Sequence, residues 1–150
     1  MPPANTTAGY SGTPLLKKLG YDKAAEKGGR ALLIGAESGP KELRAFRGFA
    51  ELKTAPNAKR PPAGPFAVIH CFETDAEALA AALPLLRARL TKDGMIWVSW
   101  PKKASKVPTT ITEDVIRKHA LGKGGLVDVK VCAVDEVWSG LKLVIPVKLR

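Results

Sequence analysis

Short apolar runs alternate with amphipathic segments along most of this chain. Three runs are continuous, namely Arg30–Gly35, which ends in glycine, Phe66–Phe72 and Met95–Trp100. Continuous apolar runs of this length are typical of strands that a parallel sheet buries on both faces. The pattern therefore predicts three central strands, and it adds a weaker edge strand over Phe49–Lys53.

Helical segments separate these predicted strands. Thr74 with Glu77 has the spacing of a capping box, and the leucines that follow recur at helical spacing, so they predict one stripe facing the sheet. Pro84 is expected to kink that helix, because proline lacks the backbone N–H. Four helices are predicted. The first begins near Pro14 and is capped by Ser11 or Thr13, and the second runs from Pro40 to about Phe46. The third follows Thr74, with Leu79, Leu83, Leu86 and Leu90 facing inward, and the fourth runs from about Thr112 to Leu121.

The last part of the chain favours a hairpin. Leu126–Val134 and Leu141–Leu149 are both strand-like, and the short segment between them predicts an antiparallel pair. Thr54–Pro65 contains four prolines and is predicted to be a loop. The order of elements predicts an α/β fold, a three-layer Rossmann-like open sheet that is mostly parallel with a C-terminal antiparallel strand. We expect a flexible N-terminus over residues 1–9 and a single domain over residues 10–150.

Composition narrows the function classes. The chain has 150 residues and a formal net charge of +10, which favours anionic partners. Cys71 and Cys132 lie in apolar runs and are expected to be reduced core residues, while His70 and His119 are too isolated to suggest zinc, so no metal is expected. No secretory leader pattern and no membrane-length apolar run occurs, so a cytoplasmic location without a membrane partner is predicted.

The order of strands and helices carries a resemblance. A buried strand ending in the turn Gly35–Gly39, then Phe66–Ile69, a helix, Asp93–Val98 and a terminal hairpin resemble a shortened class I S-adenosylmethionine-dependent methyltransferase core. Three further segments, Tyr10–Leu15, Trp100–Ser105 and Val129–Asp135, resemble an uncharacterised bacterial family of small proteins. That second resemblance spans nearly the whole chain, and it implies no known activity.

Two positions and one length depart from the methyltransferase pattern. The family usually has an acidic residue where this chain has Leu33, and a glycine where it has Glu37. Only 26 residues separate Gly39 from Phe66, where two strands and three helices would need about 40 residues. The half that normally holds the adenosine is thus predicted to be shortened, and the turn is most simply a tight strand-to-helix connection.

Ligands of open α/β sheets bind outside the carboxyl ends of the strands. The predicted ligand-binding residues at that edge are Gly35, Glu37, Ser38, Gly39, Glu73, Trp100, Lys102, Lys103 and Trp138. Each has a structural alternative: a helix N-terminal charge for Glu73, a hydrophobic lid for the tryptophans and a solvated face for the lysines. No catalytic residue is predicted, and His70 is interpreted as a hydrogen-bonded core histidine.

These observations leave two function hypotheses open. The first is a non-catalytic, degenerate methyltransferase-like module that binds an anionic ligand, nucleic acid or a protein partner. The second is a methyltransferase or another nucleotide-binding enzyme. No cofactor is expected under the first, and S-adenosylmethionine is the cofactor under the second. The basic clusters that would meet phosphates are Lys41, Arg44 and Arg47, then Lys102, Lys103 and Lys106, then Arg117, Lys118 and Lys123.

Overall fold

A computed structural model describes residues 14–150, and the predicted flexible N-terminus and the caps at Ser11 and Thr13 lie outside this range. The helices are α1 (Leu15–Lys18), α2 (Tyr21–Glu26), α3 (Lys41–Ala45), α4 (Ala76–Arg87) and α5 (Glu113–Leu121). The strands are β1 (Arg30–Ile34), β2 (Glu51–Ala55), β3 (Phe66–Phe72), β4 (Leu90–Pro101), β5 (Val127–Ala133) and β6 (Trp138–Val144). Short 3-10 turns cover Ala36–Ser38, Lys103–Ser105 and Val147–Leu149.

All six strands form one sheet in the order β2-β1-β3-β4-β6-β5. The first four strands pair in parallel, whereas β6 is antiparallel to both β4 and β5. The predicted fold class is confirmed, including the C-terminal hairpin. Strand β2 lies on one side of β1 and strand β3 lies on the other side. The strand order therefore reverses between β1 and β3.

The sheet is buried on both faces, as the continuous apolar runs predict. On one face α4 and α5 cover Leu32, Ile69 and Val98, which belong to one core cluster. On the other face α1, α2 and α3 cover Leu33 and Trp97, which belong to a second cluster. The strict alternation of strand side chains sends neighbouring residues to opposite clusters, and both clusters need apolar residues.

Helix α4 starts one residue later than the capping box predicts. Its N-cap is Asp75, whose carboxylate accepts a hydrogen bond from the Ala78 amide at 2.9 Å, so the predicted cap at Thr74 is wrong. Leu90 is buried but belongs to β4, not to the leucine stripe of the helix. The helix continues through Pro84 to Arg87.

Three other boundaries differ from the sequence pattern. The sequence pattern does not indicate helix α2, because this segment has no apolar stripe; its one buried side chain is Tyr21. Strand β6 begins at Trp138 and ends at Val144, earlier at both ends than the predicted Leu141–Leu149. The predicted turn at Asp93–Gly94 lies within β4, where the pairing with β3 shifts register.

The middle of the chain is short, as the spacing predicts. Between Gly39 and Phe66 the structure has one helix, α3, and one strand, β2, where the resemblance implies three helices and two strands. Strand β2 is therefore an edge strand, and it starts two residues after the predicted Phe49. Among residues 14–150, no helix has both the length and the apolar character to cross a membrane.

Candidate functional site

The carboxyl ends of the parallel strands bring most of the predicted site residues together. The Glu73 amide after β3 donates to the Ser99 carbonyl of β4 at 3.0 Å. The Lys102 amide after β4 donates to the Val137 carbonyl at 2.7 Å. This bond joins the loop that carries Lys102 and Lys103 to the β5–β6 turn. These backbone contacts connect the ends of β3 and β4 with the hairpin turn.

The turn after β1 needs its first glycine. Gly35 has a φ of +64°, in the left-handed region, and a Cβ there would lie 3.0 Å from the Phe72 carbonyl oxygen. Glu37 and Ser38 follow in the 3-10 turn and are exposed. The turn thus presents two exposed side chains, and its backbone packs closely against the end of β3.

Phe72 fills the crevice between the ends of β1 and β3. A Cβ placed on Gly39 would lie 2.7 Å from the Phe72 ring, so this ring contacts the turn directly. The Phe72 ring also stacks on His70, with centroids 4.4 Å apart and the planes within 11°. Only 7% of Phe72 is exposed. The reversal point of the sheet is therefore occupied by an aromatic side chain of the protein itself.

Trp138 completes this packing. Its ring meets Phe72 edge-on at 5.1 Å, and its indole N–H donates to the Ser38 carbonyl at 3.1 Å. The carboxylate of Asp135 accepts from the amides of Val137 and Trp138, at 2.8 and 2.7 Å, and so orders the turn that carries the tryptophan. Trp138 thus ties the hairpin to the turn after β1.

Trp100 does not join this group. It pairs with Ser139 in the β4–β6 register, whereas Trp138 pairs with Pro101, so the two indoles lie on opposite faces of the sheet. Trp100 is 8% exposed and belongs to the core beneath α4 and α5. Its ring therefore serves as core, and no free face is left on which a base could stack. Lys102 beside it is half-buried, and Lys103 is exposed.

Glu73 is bound to the start of α4. Its carboxylate accepts from the amides of Thr74 and Asp75, at 3.0 and 3.1 Å, which matches a negative charge at a helix N-terminus. Glu73 also lines a cavity of about 470 Å³ together with Asn57, Lys59 and the alanines of α4. This cavity lies on the α4 side of the sheet.

A buried hydroxyl–imidazole–hydroxyl chain lies beneath Phe72. The Tyr21 hydroxyl and His70 Nδ1 are 2.6 Å apart, and His70 Nε2 and the Ser99 hydroxyl are also 2.6 Å apart. All three side chains are fully buried, and burial lowers the pKa of His70 to about 3. The interpretation of His70 as a hydrogen-bonded core residue is confirmed. Burial thus favours the neutral ring, and the His70 side chain has no exposed surface.

The basic clusters do not share one face. Helix α3, with Lys41 and Arg44, packs on the α1–α2 side, while α5 packs on the α4 side. Arg117 of α5 is engaged by Glu113, Asp114 and Asp128. In the described part of the chain, no group of three or more histidine, cysteine or acidic side chains could hold a metal ion.

Several solved structures with a similar fold are methyltransferases. One is magnesium protoporphyrin IX methyltransferase from Synechocystis PCC 6803 with bound SAH, with a TM-score of 0.57, 13% identity, and coverage of 87% of this chain and 81% of the other. Another is an S-adenosylmethionine-dependent methyltransferase from Clostridium acetobutylicum ATCC 824, with a TM-score of 0.59, 10% identity, and coverage of 91% and 94%. The chain has the fold of a class I methyltransferase.

A third similar structure is the N-methyltransferase NodS from Bradyrhizobium japonicum WM9, with a TM-score of 0.57, 14% identity, and coverage of 87% of this chain and 93% of the other. No protein-family model and no curated protein sequence matches the chain. At these identities the methyltransferase likeness concerns the fold, and function depends on the site.

Sequence analysis missed Phe72 as the residue that decides this site. A signal was present, because Phe72 lies two positions after His70 at the end of a buried strand and therefore faces the same side. The sequence pattern does not show that the turn after β1 approaches closely enough to meet the ring.

Proposed function

We propose that this protein is a methyltransferase-fold module that acts by binding and does not hold a methyl donor in the fold's usual crevice. The observation that carries the proposal is the Phe72 ring, which lies against Gly39 where a cofactor would need open backbone. The Trp138 N–H already occupies the Ser38 carbonyl of the same turn. Glu37 adds a negative charge beside the turn, unfavourable for a donor carboxylate.

The residues at the turn therefore do not fit S-adenosylmethionine in the pose that the fold implies. Opening the crevice would expose Phe72 and separate it from both His70 and Trp138. Full burial of a phenylalanine side chain contributes about 2 to 3 kcal/mol, so a donor would have to repay this amount before binding. Phe72 belongs to the rigid core packing, which makes that rearrangement costly.

Isothermal titration with S-adenosylmethionine and S-adenosylhomocysteine tests this proposal. We expect no dissociation constant below about 1 mM for the unmodified chain. Phe72→Ala removes the ring from the turn and should increase affinity for S-adenosylhomocysteine. The matched control is Phe46→Ala, an aromatic on the same face that contacts Phe49 instead. Micromolar affinity of the unmodified chain would overturn the proposal.

The second candidate function is an S-adenosylmethionine-dependent methyltransferase. The fold comparison favours it, because similar structures are described with bound SAH or SAM. The cavity beside Glu73 offers space on the α4 side of the same edge. Micromolar binding in the titration above would select this candidate, and loss of that binding on Glu73→Gln would place the ligand at this edge.

For the binding module, we propose an anionic ligand or nucleic acid as the partner at the carboxyl edge. The chain carries a net charge of +10, and Lys102, Lys103 and Lys106 form no ion pair with any residue in the range 14–150. Titrations with single- and double-stranded oligonucleotides at two salt concentrations test this. For duplex DNA, a plot of log affinity against log salt concentration should have a slope of about −0.9 for each phosphate contact. Lack of binding at low salt would indicate that the positive charge of these lysines serves solubility and not ligand binding.

A further inference from the structure

Five lysines surround a cavity on the α1–α2 side of the sheet. The cavity has a volume of about 470 Å³ and lies between the first two helices and the β5–β6 hairpin. The carboxylates of Asp22 and Glu26 also line it. The lysines are Lys17, Lys18, Lys23, Lys130 and Lys142, so cations outnumber anions in the lining.

Two of these lysines face each other across the hairpin. Lys130 of β5 and Lys142 of β6 are directly paired in the antiparallel register. Like charges at such positions destabilise a sheet. Burial and the neighbouring Lys130 charge both lower the pKa of Lys142. Lys130 is exposed and Lys142 is half-buried, and an anion bound between the two ammonium groups would reduce their repulsion.

Lys18 adds a third charge in the same place. Its Nζ atom is buried and has no hydrogen-bond partner among residues 14–150, although an ammonium group normally reaches water or a carboxylate. The charges of Lys18 and Lys130 both pull down the pKa of Cys132, which burial raises overall, so both lysines lie near this thiol. Across the described residues, none of the three lysines forms an ion pair.

A second cavity adjoins the first. It has a volume of about 480 Å³ and shares Gly20, Lys23 and Lys142 with the lysine cavity. Its walls include Ala67 and Met95, close to the amino ends of β3 and of the paired part of β4. Lys27, Arg30 and Asp93 also line it, but alanine, glycine and methionine make charged side chains a smaller share of its lining than in the first cavity. Methionine adapts to the shape of a ligand.

We propose that the lysine cavity binds the phosphate group of a small phosphorylated molecule, and that the uncharged body of this molecule lies in the adjoining cavity. A phosphate neutralises clustered ammonium groups and accepts their N–H bonds, which offsets the repulsion between Lys130 and Lys142. The site goes beyond the proposed function, because it lies toward the amino ends of the strands, away from Phe72.

Calorimetric titrations of the full chain at low ionic strength test this inference. The probes are inorganic phosphate, adenosine monophosphate and adenosine. We expect the nucleotide to bind at least about tenfold more tightly than either phosphate or adenosine alone. Lys130→Gln and Lys18→Gln should each weaken nucleotide binding by at least about fivefold. Lys148→Gln, which removes an exposed lysine of the last 3-10 turn that lines neither cavity, is the matched control.

Three results would overturn the inference. One is that neither phosphate nor the nucleotide binds. Another is that Lys130→Gln and Lys18→Gln bind the nucleotide as well as the unmodified chain does, which would place it elsewhere, including the carboxyl edge. The third is that the nucleotide binds no more tightly than phosphate, which would show that the adjoining cavity does not bind the body of the ligand. The titration with S-adenosylmethionine is independent of all three, so failure of one proposal does not imply failure of the other.

Discussion

Acid should destabilise this protein through one buried imidazole. His70 is fully buried, and its ring nitrogens contact two uncharged hydroxyls, those of Tyr21 and Ser99. Burial lowers the pKa of His70 from 6.5 to about 3. Between these two values the unfolded chain binds a proton that the folded chain excludes. The contribution of His70 to stability is therefore complete above pH 6.5 and decreases as the pH falls toward 3.

The size of the effect follows from linkage. One proton bound only by the unfolded state changes the free energy of unfolding by about 1.4 kcal/mol per pH unit. The unfolded histidine is half protonated at pH 6.5, so the loss from pH 6.5 to 4.5 should be about 2 kcal/mol. Over the full titration, from well above pH 6.5 to well below pH 3, the loss is about 5 kcal/mol. A small domain has a total stability of about 5 to 15 kcal/mol, so this loss is easily measured.

The comparison uses His70→Gln, whose amide keeps one donor and one acceptor but does not take up a proton. Urea unfolding followed by circular dichroism at pH 6.5, 5.5 and 4.5 gives the free energy of unfolding of both proteins. The unmodified chain should lose about 1 kcal/mol more than the variant between pH 6.5 and 5.5, and about 1.3 kcal/mol more between pH 5.5 and 4.5. His119→Gln, at the half-exposed end of α5, is the control and should retain the steep dependence.

Carboxylates titrate in the same range, but they are common to all three proteins and cancel in the difference. Parallel pH dependence in His70→Gln and the unmodified chain would refute the reasoning, since it would show that the folded state accepts a proton at His70. Loss of the steep pH dependence in His119→Gln would also refute it, because His119 and not His70 would then be the histidine responsible.

Three further outcomes are expected. Asp75→Ala should lose about 1 kcal/mol of stability in urea unfolding, while Thr74→Ala should lose less than half of that, because only the aspartate caps α4. In the native protein a thiol reagent should modify Cys132 and spare Cys71, since burial raises the pKa of Cys71 to about 12. Trp138→Phe keeps an aromatic ring but removes the indole donor to the turn after β1, and should cost about 1 kcal/mol.

Each of these outcomes has a clear opposite. Equal losses in the two cap variants would contradict the placement of the helix start at Asp75. Modification of both thiols in the native protein would contradict the burial of Cys71. Unchanged unfolding of the tryptophan variant would show that the hydrogen bond to the turn contributes nothing to the packing of the hairpin.

The sequence alone determined the class of the fold and the location of most strands. The apolar runs that became β1 and β3 are local signals, because a strand buried on both faces needs apolar residues at every position. The antiparallel C-terminal pair also follows from a short connection between two strands. The limited length between Gly39 and Phe66 was enough to predict a shortened middle.

Tertiary structure decided what local signals do not encode. Helix α2 has no apolar stripe of its own, and it is held by Tyr21, whose hydroxyl meets His70 in β3. The cap of α4 shifted to Asp75 because Thr74 and Glu73 continue the edge of the sheet, where the Thr74 carbonyl accepts from the Thr110 amide. Such long-range contacts override a capping pattern that spans only four residues.

The site itself depended most on pairing between distant strands. The register of β4 with β6 places Trp100 and Trp138 on opposite faces, although both adjoin predicted turns in the sequence. The approach of the turn after β1 to the end of β3 places Phe72 in the crevice, and the β5–β6 register places Lys130 beside Lys142. These pairs are far apart along the chain or depend on a register shift, and only the folded sheet determines which side chains share a face.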